Sequence, residues 1–330
     1  MNLTIRPRRN RKSCAIRSLV RETRFSVSHL IQPLFVWDQG ESRAVECMPG
    51  IMRFSIRDLL RECEILLRLG ISAIAIFPYI ESRYKDFKGS HGLDPDNILL
   101  RTLRTVKEAF PELTLIADVA LDPYTDHGHD GIIDAEGKIH NDSTVEILCQ
   151  LAVAEAQAGA DILAPSDMMD GRIGAIRGAL DEAGFQDTSI MSYAVKYASA
   201  YYGPFRDAVG SKIGKSALDK STYQMDPANR REAVREALLD VEEGADILII
   251  KPAGGYLDII AAVREWVTLP IAAYQVSGEY AQIHAAARLG WLEYEKARDE
   301  SLLAIQRAGA DMILTYFARE MAEANSQGLH

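Results

Sequence analysis

The chain has 330 residues, of which 48% are hydrophobic and 25% are charged, a balance that is typical of a globular protein. The formal net charge of −10 argues against nucleic acid as the main partner, and no apolar run is long enough to span a bilayer. The first residues contain no apolar stretch of the signal-peptide type, and the four cysteines follow no CxxC spacing, so we expect a cytoplasmic protein with reduced cysteines.

The N-terminal segment departs from this acidic balance. Residues 6–12 read RPRRNRK, and such a terminal arm could bind nucleic acid, a membrane surface or an acidic neighbouring subunit. We favour the contact with a neighbouring subunit. We therefore assign residues 1–28 to an N-terminal arm and residues 29–330 to a single catalytic domain.

Short apolar runs alternate with helix-period segments through the rest of the chain. The helical segments are predicted at 56–70, 98–110, 145–160, 174–184, 231–245, 256–267 and 297–310. The strands are predicted at HLIQPLFV (29–36), ISAIAIF (71–77), LTLIADVA (113–120), DILAPS (161–166), SIMSYAVK (189–196), DILIIKP (246–252), LPIAAYQVS (269–277) and DMILTYF (311–317).

Three of the joints between helix and strand repeat one motif, AQAGADIL, EEGADILI and RAGADMIL, in which glycine is suited to end the helix. Repeated αβ units at fairly even intervals predict a (β/α)8 TIM barrel. A doubly wound open sheet is the alternative, and it is weakened because no GxGxxG turn follows any predicted strand.

Catalytic groups of such a barrel lie at the carboxyl ends of its strands. Polar and reactive residues occupy these positions here more often than packing requires: Asp118, Ser166, Lys196, Lys251, Ser277 and Tyr316.

Two of these residues, Lys196 and Lys251, end neighbouring predicted strands. Because such strands lie about 5 Å apart, both amines can enter one barrel mouth. Burial and mutual repulsion would lower at least one pKa, and a neutral amine can attack a carbonyl to form a Schiff base. The alternative is two separate lysines at the rim, each with an acidic partner. Their occurrence on adjacent strands favours a catalytic role for the pair.

An acidic segment, DVALDPYTDHGHDG (118–131), follows the third predicted strand. Pro123 and Gly128 argue against a helix, so its aspartates are expected on a loop. Clustered carboxylates at a barrel mouth suit Mg²⁺, whereas zinc prefers cysteine or histidine ligands. A solvated acidic loop is an equally valid interpretation of the same residues.

A long segment, GPFRDAVGSKIGKSALDKSTYQMD (203–226), shows little periodicity and is typical of a lid or binding loop. The basic side chains that it offers for binding carboxylates are Arg206, Lys212, Lys215 and Lys220. The alternative is a solvated surface loop.

Taken together, the motifs closely resemble the δ-aminolevulinic acid dehydratase (porphobilinogen synthase) family over nearly the whole chain. The segments that carry the resemblance are APSDMMDGRIGAIR (164–177), YAVKYASAYYGPFRDA (193–208), YQMDPANRREA (223–233), IIKPAGGYLD (249–258), YQVSGEY (274–280) and ILTYFA (313–318). The resemblance implies a (β/α)8 barrel whose arm embraces a neighbouring subunit, usually in an octamer. It also implies the asymmetric condensation of two 5-aminolevulinate molecules to porphobilinogen with loss of two waters, in tetrapyrrole (haem) synthesis.

The resemblance also implies roles for individual residues. Lys251 matches the lysine that forms the Schiff base with the first substrate, and Lys196 matches the second lysine, which binds or activates the other. Many relatives have arginine where Lys220 stands, so we expect a looser grip there. The implied substrate-binding residues are Ser277 and Tyr316 for the first carboxylate, Arg206, Lys220 and Gln224 for the second substrate, and Asp118 and Ser166 around the reacting groups.

The implied metal chemistry is that of the aspartate-rich members of the family. Zinc-dependent members carry three cysteines where this chain has Ala120, Asp122 and Asp130, so no catalytic zinc is expected. Asp122 and Asp130 are candidate ligands for an active-site Mg²⁺, if the working enzyme holds one. Glu236 matches the ligand of a separate, allosteric Mg²⁺ that is bound largely through water near an arginine of a partner's arm.

Two other functions are compatible with the barrel. A Schiff-base class I aldolase would need one lysine and usually a phosphate site, for which VSGEY is poorly suited. A catalytically inactive barrel kept for assembly is the other, and the two lysines count against it.

Overall fold

The centre of the structure, a computed structural model that describes residues 3–134, 136–211 and 219–326, is a closed parallel barrel. The strands in chain order are β1 (Leu30–Val36), β2 (Arg43–Ala44), β3 (Met52–Phe54), β4 (Ala73–Pro78), β5 (Thr114–Val119), β6 (Ile162–Pro165), β7 (Ser189–Lys196), β8 (Ile247–Lys251), β9 (Ile271–Gln275) and β10 (Met312–Thr315). The barrel sheet runs β1-β4-β5-β6-β7-β8-β9-β10, and β10 pairs with β1 to close it. The predicted (β/α)8 barrel is confirmed.

The barrel strands form where continuous apolar runs can be buried on both faces. In β8, for example, Leu248, Ile249 and Ile250 are completely buried. The short strands β2 and β3 pair with each other in antiparallel fashion, and β3 extends the sheet beside β1.

Helices surround the barrel, and all but the first of them have buried residues. They are α1 (Cys14–Leu19), α2 (Ile56–Arg68), α3 (Ile98–Ala109), α4 (Asn141–Gln157), α5 (Arg172–Glu182), α6 (Gly203–Ala208), α7 (Arg231–Glu242), α8 (Leu257–Arg264), α9 (Ser277–Arg288), α10 (Tyr294–Arg307) and α11 (Ala318–Ser326). In the part of the chain that the structure describes, none of them is long and apolar enough to cross a bilayer.

The three Gly-Ala-Asp joints between helix and strand have the geometry that the sequence predicts. Gly159, Gly244 and Gly309 follow α4, α7 and α10 with φ of +105°, +100° and +121°, a backbone region that glycine adopts without strain. Each helix therefore ends abruptly and the chain enters the next strand at once.

Several boundaries differ from the sequence prediction. Strand β9 ends at Gln275, and Ser277 is the first residue of α9, a helix that the sequence analysis missed. The cause is local, because the Glu279 side chain accepts a hydrogen bond from the Val276 N–H (2.8 Å) and caps the helix there. Helix α11 and the β2–β3 pair were also missed, and Tyr316 lies just beyond β10.

The segment before β1 extends along the surface in short helical turns. Its basic portion forms a 3-10 helix at Pro7–Arg11, and α1 follows. Apolar side chains on this segment are largely exposed, with Ile5 at 83% and Leu19 at 78%.

Candidate active site

Lys196 and Lys251 lie side by side at the barrel mouth. Lys196 is the last residue of β7, Lys251 is the last residue of β8, and the two are register partners in the sheet. Both side chains are buried, at 5% and 6% exposure. The fold therefore brings two amines together at the carboxyl end of the barrel, in the position that sequence analysis assigned to them.

Four aromatic rings surround the Lys251 amine, and we call them the aromatic cage. The Nζ atom lies 4.7 Å from the ring centroid of Tyr274, 5.0 Å from those of Tyr193 and Phe205, and 5.2 Å from that of Tyr202. Ring faces attract a cation, but they replace the water that would otherwise solvate it.

Burial, reinforced by the charge of Lys196, lowers the pKa of Lys251 to about 7. The carboxylates of Asp118, Asp122 and Asp130 oppose this shift without overcoming it. Lys251 therefore provides a neutral amine near pH 7, which is the form that attacks carbonyl carbon.

Asp118 lies within β5, and the pKa of its carboxyl is close to that of the Lys251 amine. Burial raises the pKa of its carboxyl to about 7, although Lys251 and Lys196 both favour its ionised form. Its Oδ1 atom has no hydrogen-bond partner among the described residues. An amine and an acid with similar pKa values can exchange a proton at little cost, which suits general acid–base chemistry.

Lys196 is held by oxygen atoms instead of rings. Its ammonium donates a short hydrogen bond to the Ser166 carbonyl, just beyond β6, and lies 3.4 Å from Asp130 Oδ1. These contacts fix its amine beside Lys251 and give its charge a partner.

The predicted metal-binding aspartates face a third lysine. Lys220 Nζ lies 2.6 Å from Asp130 Oδ2 and 3.6 Å from Asp122 Oδ2, and the Tyr223 hydroxyl also donates to Asp130 (3.0 Å). Burial opposes ionisation of Asp130, but Lys196, Lys220 and Tyr223 outweigh it and hold its pKa well below the usual range. Within the described residues, no three His, Cys, Asp or Glu side chains converge as a metal-binding group.

Ser277 and Tyr316 lie beside the aromatic cage. The fully buried Ser277 hydroxyl accepts a hydrogen bond from the Phe205 N–H (2.9 Å) and donates to the Tyr201 carbonyl (3.3 Å). The Tyr316 hydroxyl is hydrogen-bonded to that of Tyr274 (3.0 Å). Two hydroxyl groups thus lie beside residues of the aromatic cage, each of them already hydrogen-bonded within the protein.

Gly278 is required where α9 meets the backbone before α6. A Cβ atom at this position would lie 2.5 Å from the Tyr201 carbonyl oxygen, which is too close for any side chain. The glycine therefore allows Ser277 to reach the neighbouring backbone.

The predicted lid supplies two further side chains among the described residues, Arg206 and Gln224. Arg206 lies on α6, so this segment is not structureless throughout, and it is near enough to Lys220 for their charges to repel. Gln224 is buried, and its Oε1 atom has no hydrogen-bond partner in the described part of the chain. Lys212 and Lys215 lie outside the described residues.

Glu236 lies on α7 and borders a cavity of about 670 Å³ that also reaches Gln224. Asp170 and Glu232 line the same cavity. Burial and the nearby carboxylate of Asp240 raise the pKa of Glu236. This is an electronegative, roomy environment in which a cation would be stabilised.

Sequence analysis missed the cage residues and Glu279. The cage comes from three separate segments, although the aromatic-rich run YAVKYASAYYGPF around Lys196 was a usable signal. Glu279 also accepts hydrogen bonds from the N–H groups of Ala253 and Gly254, so it holds the turn that follows Lys251.

Comparison with known proteins finds relatives that match this chain over nearly its whole length. The family model described as "Delta-aminolevulinic acid dehydratase" matches residues 4–324. A delta-aminolevulinic acid dehydratase from Bradyrhizobium diazoefficiens is 51% identical over 98% of this chain and 91% of the relative, and one from Chlamydia pneumoniae is 52% identical over 99% and 98%. A solved structure of the Toxoplasma gondii enzyme in complex with the reaction product porphobilinogen superposes with a TM-score of 0.95, at 50% identity over 97% of this chain and 91% of that one.

Proposed function

Because the chain belongs to the delta-aminolevulinic acid dehydratase family and is a porphobilinogen synthase, a lyase, we propose that it condenses two 5-aminolevulinate molecules through a Schiff base at Lys251. The overall reaction joins the two substrates into porphobilinogen and releases two waters. The observation that carries the assignment to Lys251 is its caged amine, whose pKa of about 7 leaves it nucleophilic beside a second lysine.

The chemistry at Lys251 begins with attack of its neutral amine on the keto carbon of the first substrate. An acid then supplies a proton to the departing hydroxyl, so that one water leaves and an iminium remains, which withdraws electrons and makes a proton on the adjacent carbon removable. Asp118, with a pKa raised to about 7, is suited to accept or return a proton at this point, and Ser166 lies close to it. The ring faces of the aromatic cage attract the iminium, which is a cation like ammonium, and so offset part of the cost of its burial.

Lys196 is proposed to bind and activate the second substrate. Its hydrogen bond to the Ser166 carbonyl and its proximity to Asp130 hold the ammonium at a defined point of the mouth. An ammonium at that point can polarise the second carbonyl or orient the substrate amine towards the iminium.

Each substrate also presents a carboxylate. We propose that the Ser277 and Tyr316 hydroxyls bind the first, since both lie beside the cage. Arg206, Lys220 and Gln224 are proposed to bind the second substrate. The ammonium of Lys220 has three donors, so it can keep its hydrogen bond to Asp130 and still donate to a substrate oxygen.

An allosteric Mg²⁺ is proposed at Glu236. The site fits a hydrated cation, because the carboxylates of Asp170 and Glu232 line the same cavity and the volume of about 670 Å³ leaves room for water ligands. Bound there, Mg²⁺ would supply charge stabilisation and no chemical step. The shared cavity extends to Gln224, which offers a physical route from Glu236 to the proposed second-substrate site.

Assembly through the N-terminal arm is proposed as well. The exposed Ile5 and Leu19 and the basic Pro7–Arg11 turn suit a contact with another copy of the chain, and an octamer is the proposed form. An arginine of a partner's arm would then lie near Glu236. The arm is proposed as residues 1–28, and the cytoplasm as the site of action.

The decisive experiment measures pyrrole formation from 5-aminolevulinate by its colour reaction, with Mg²⁺ and with chelator. We expect product from the wild-type chain and none from Lys251→Met, which cannot form an imine. Absence of product under both conditions would refute the proposal. In the same samples, borohydride reduction followed by mass spectrometry locates the imine, since an inactive barrel forms none and an aldolase forms no pyrrole.

The magnesium proposal has its own test. Activity and particle size are measured across a Mg²⁺ titration for the wild-type chain and for Glu236→Gln. We expect the variant to lose the Mg²⁺ response of both quantities while borohydride still traps the imine. An unchanged Mg²⁺ response in Glu236→Gln would show that the cation acts elsewhere.

A further inference from the structure

The carboxylates of Asp122 and Asp130 already have a cation between them. Lys220 Nζ lies 2.6 Å from Asp130 Oδ2 and 3.6 Å from Asp122 Oδ2. All three side chains are buried, with exposures of 6% for Lys220, 7% for Asp122 and 1% for Asp130. The ammonium therefore interacts with both carboxylates in an environment where water screens charge poorly.

We propose that the Lys220 ammonium is the resident counter-ion of the Asp122–Asp130 pair and takes the position that an active-site divalent cation would need. Mg²⁺ binds oxygen ligands at about 2.0–2.1 Å, and such a cation on Asp130 Oδ2 would collide with the ammonium or repel it. The two carboxylates as arranged therefore fit an ammonium and do not fit a divalent metal.

The charges around this pair support the same conclusion. Lys196 approaches the other oxygen of Asp130, and Lys85 lies close enough to Asp122 to interact with its charge. The chain's own lysines thus neutralise both aspartates.

A covalently attached counter-ion has a functional consequence. Lys220 belongs to the segment predicted as a lid, residues 203–226. Because the positive charge is carried by the chain itself, the barrel mouth does not need a supply of metal to obtain it. This inference concerns the ion pair in the substrate-free protein and does not depend on the proposed Schiff-base mechanism. Its failure would leave imine trapping at Lys251 untouched.

The test measures Mn²⁺ binding by electron paramagnetic resonance of the free ion, with Glu236→Gln as the parent so that the proposed allosteric site is removed. We expect Lys220→Ala in this parent to gain one bound Mn²⁺ per chain relative to the parent. Adding Asp122→Asn should abolish the gain. Lys88→Ala is the matched control, because Lys88 is an exposed lysine whose loss changes the net charge equally without touching the pair.

Two results would overturn the proposal. One is a Mn²⁺ ion that the parent binds with Lys220 intact and that Asp122→Asn removes, since metal and ammonium would then coexist. The other is a folded Lys220→Ala protein, verified by circular dichroism, that gains no Mn²⁺. If Lys220→Ala does not fold, Lys220→Met preserves the buried stem and is judged by the same two results.

Discussion

Replacing Lys196 with methionine isolates its electrostatic effect on Lys251. Methionine keeps an unbranched, buried stem of similar length but carries no charge. Lys196 lowers the pKa of Lys251 by repulsion, because a nearby ammonium disfavours a second one. Removing it should therefore raise the pKa of Lys251 and reduce the fraction of neutral amine at pH 7.

The size of the effect follows from the value for Lys251. A pKa of about 7 leaves about half of the amine neutral at pH 7. If the lost repulsion amounts to about 1.4 kcal/mol, the pKa rises by about one unit and the neutral fraction falls to about one tenth. Imine formation at pH 7 should then slow about five-fold, whereas at about pH 9.5 the two proteins should become nearly equal.

The assay is the rate of borohydride trapping of 5-aminolevulinate on Lys251, followed by mass spectrometry across a pH series. A turnover assay could not isolate the pKa effect, because Lys196 is also proposed to activate the second substrate and Lys196→Met should lose product formation at every pH. Trapping reports only the imine at Lys251. Lys88→Met, an exposed lysine, should leave the pH midpoint of trapping unchanged. A midpoint for Lys196→Met that is unchanged or lower than that of the wild-type chain would refute this account of the lysine pair.

Three further predictions follow from packing and hydrogen bonding. Ser277→Ala removes the buried hydroxyl that we propose to bind the first carboxylate and that two backbone contacts hold in place. We therefore expect steady-state pyrrole assays to show KM raised about five- to ten-fold, equivalent to about 1–1.4 kcal/mol, with kcat changed less. Gly278→Ala places a Cβ atom 2.5 Å from the Tyr201 carbonyl oxygen and should lower kcat/KM, and wild-type kinetics would contradict the close approach. Leu248→Ala in β8 should cost about 2–5 kcal/mol in urea unfolding at fixed subunit concentration, whereas the more exposed Leu239→Ala should change stability by less than about 0.5 kcal/mol.

Much of the fold follows from local sequence patterns. The alternation of apolar runs with helix-period segments predicts the barrel strands, because each element buries its own apolar face whatever its neighbours are. The start of α9 was not predicted, since it depends on a cap that Glu279 supplies to Val276 N–H. Because the apolar run continues into Val276, periodicity alone cannot show that the strand ends at Gln275 and that a helix begins at Ser277.

Part of the candidate site can likewise be predicted from the sequence, and part of it cannot. Strand-end positions such as Lys196 and Lys251 can be predicted, because the barrel geometry directs the carboxyl end of every strand to one mouth. The pairing of Lys220 with Asp130 could not be predicted, because the two residues are 90 positions apart and the contact depends on the path of the connecting segment. The cage around Lys251 likewise depends on rings from different strands and from α6.

The three lysines at the mouth show that burial alone does not decide reactivity. Lys196, Lys220 and Lys251 are almost equally buried, at 5%, 6% and 6% exposure. Lys196 and Lys220 both contact Asp130, whereas the Lys251 amine faces aromatic rings. Ring faces compensate a cation less than a carboxylate in contact does, and the repulsion from Lys196 adds to that deficit. Lys251 is therefore the lysine whose pKa falls to about 7, as its proposed role as the nucleophile requires.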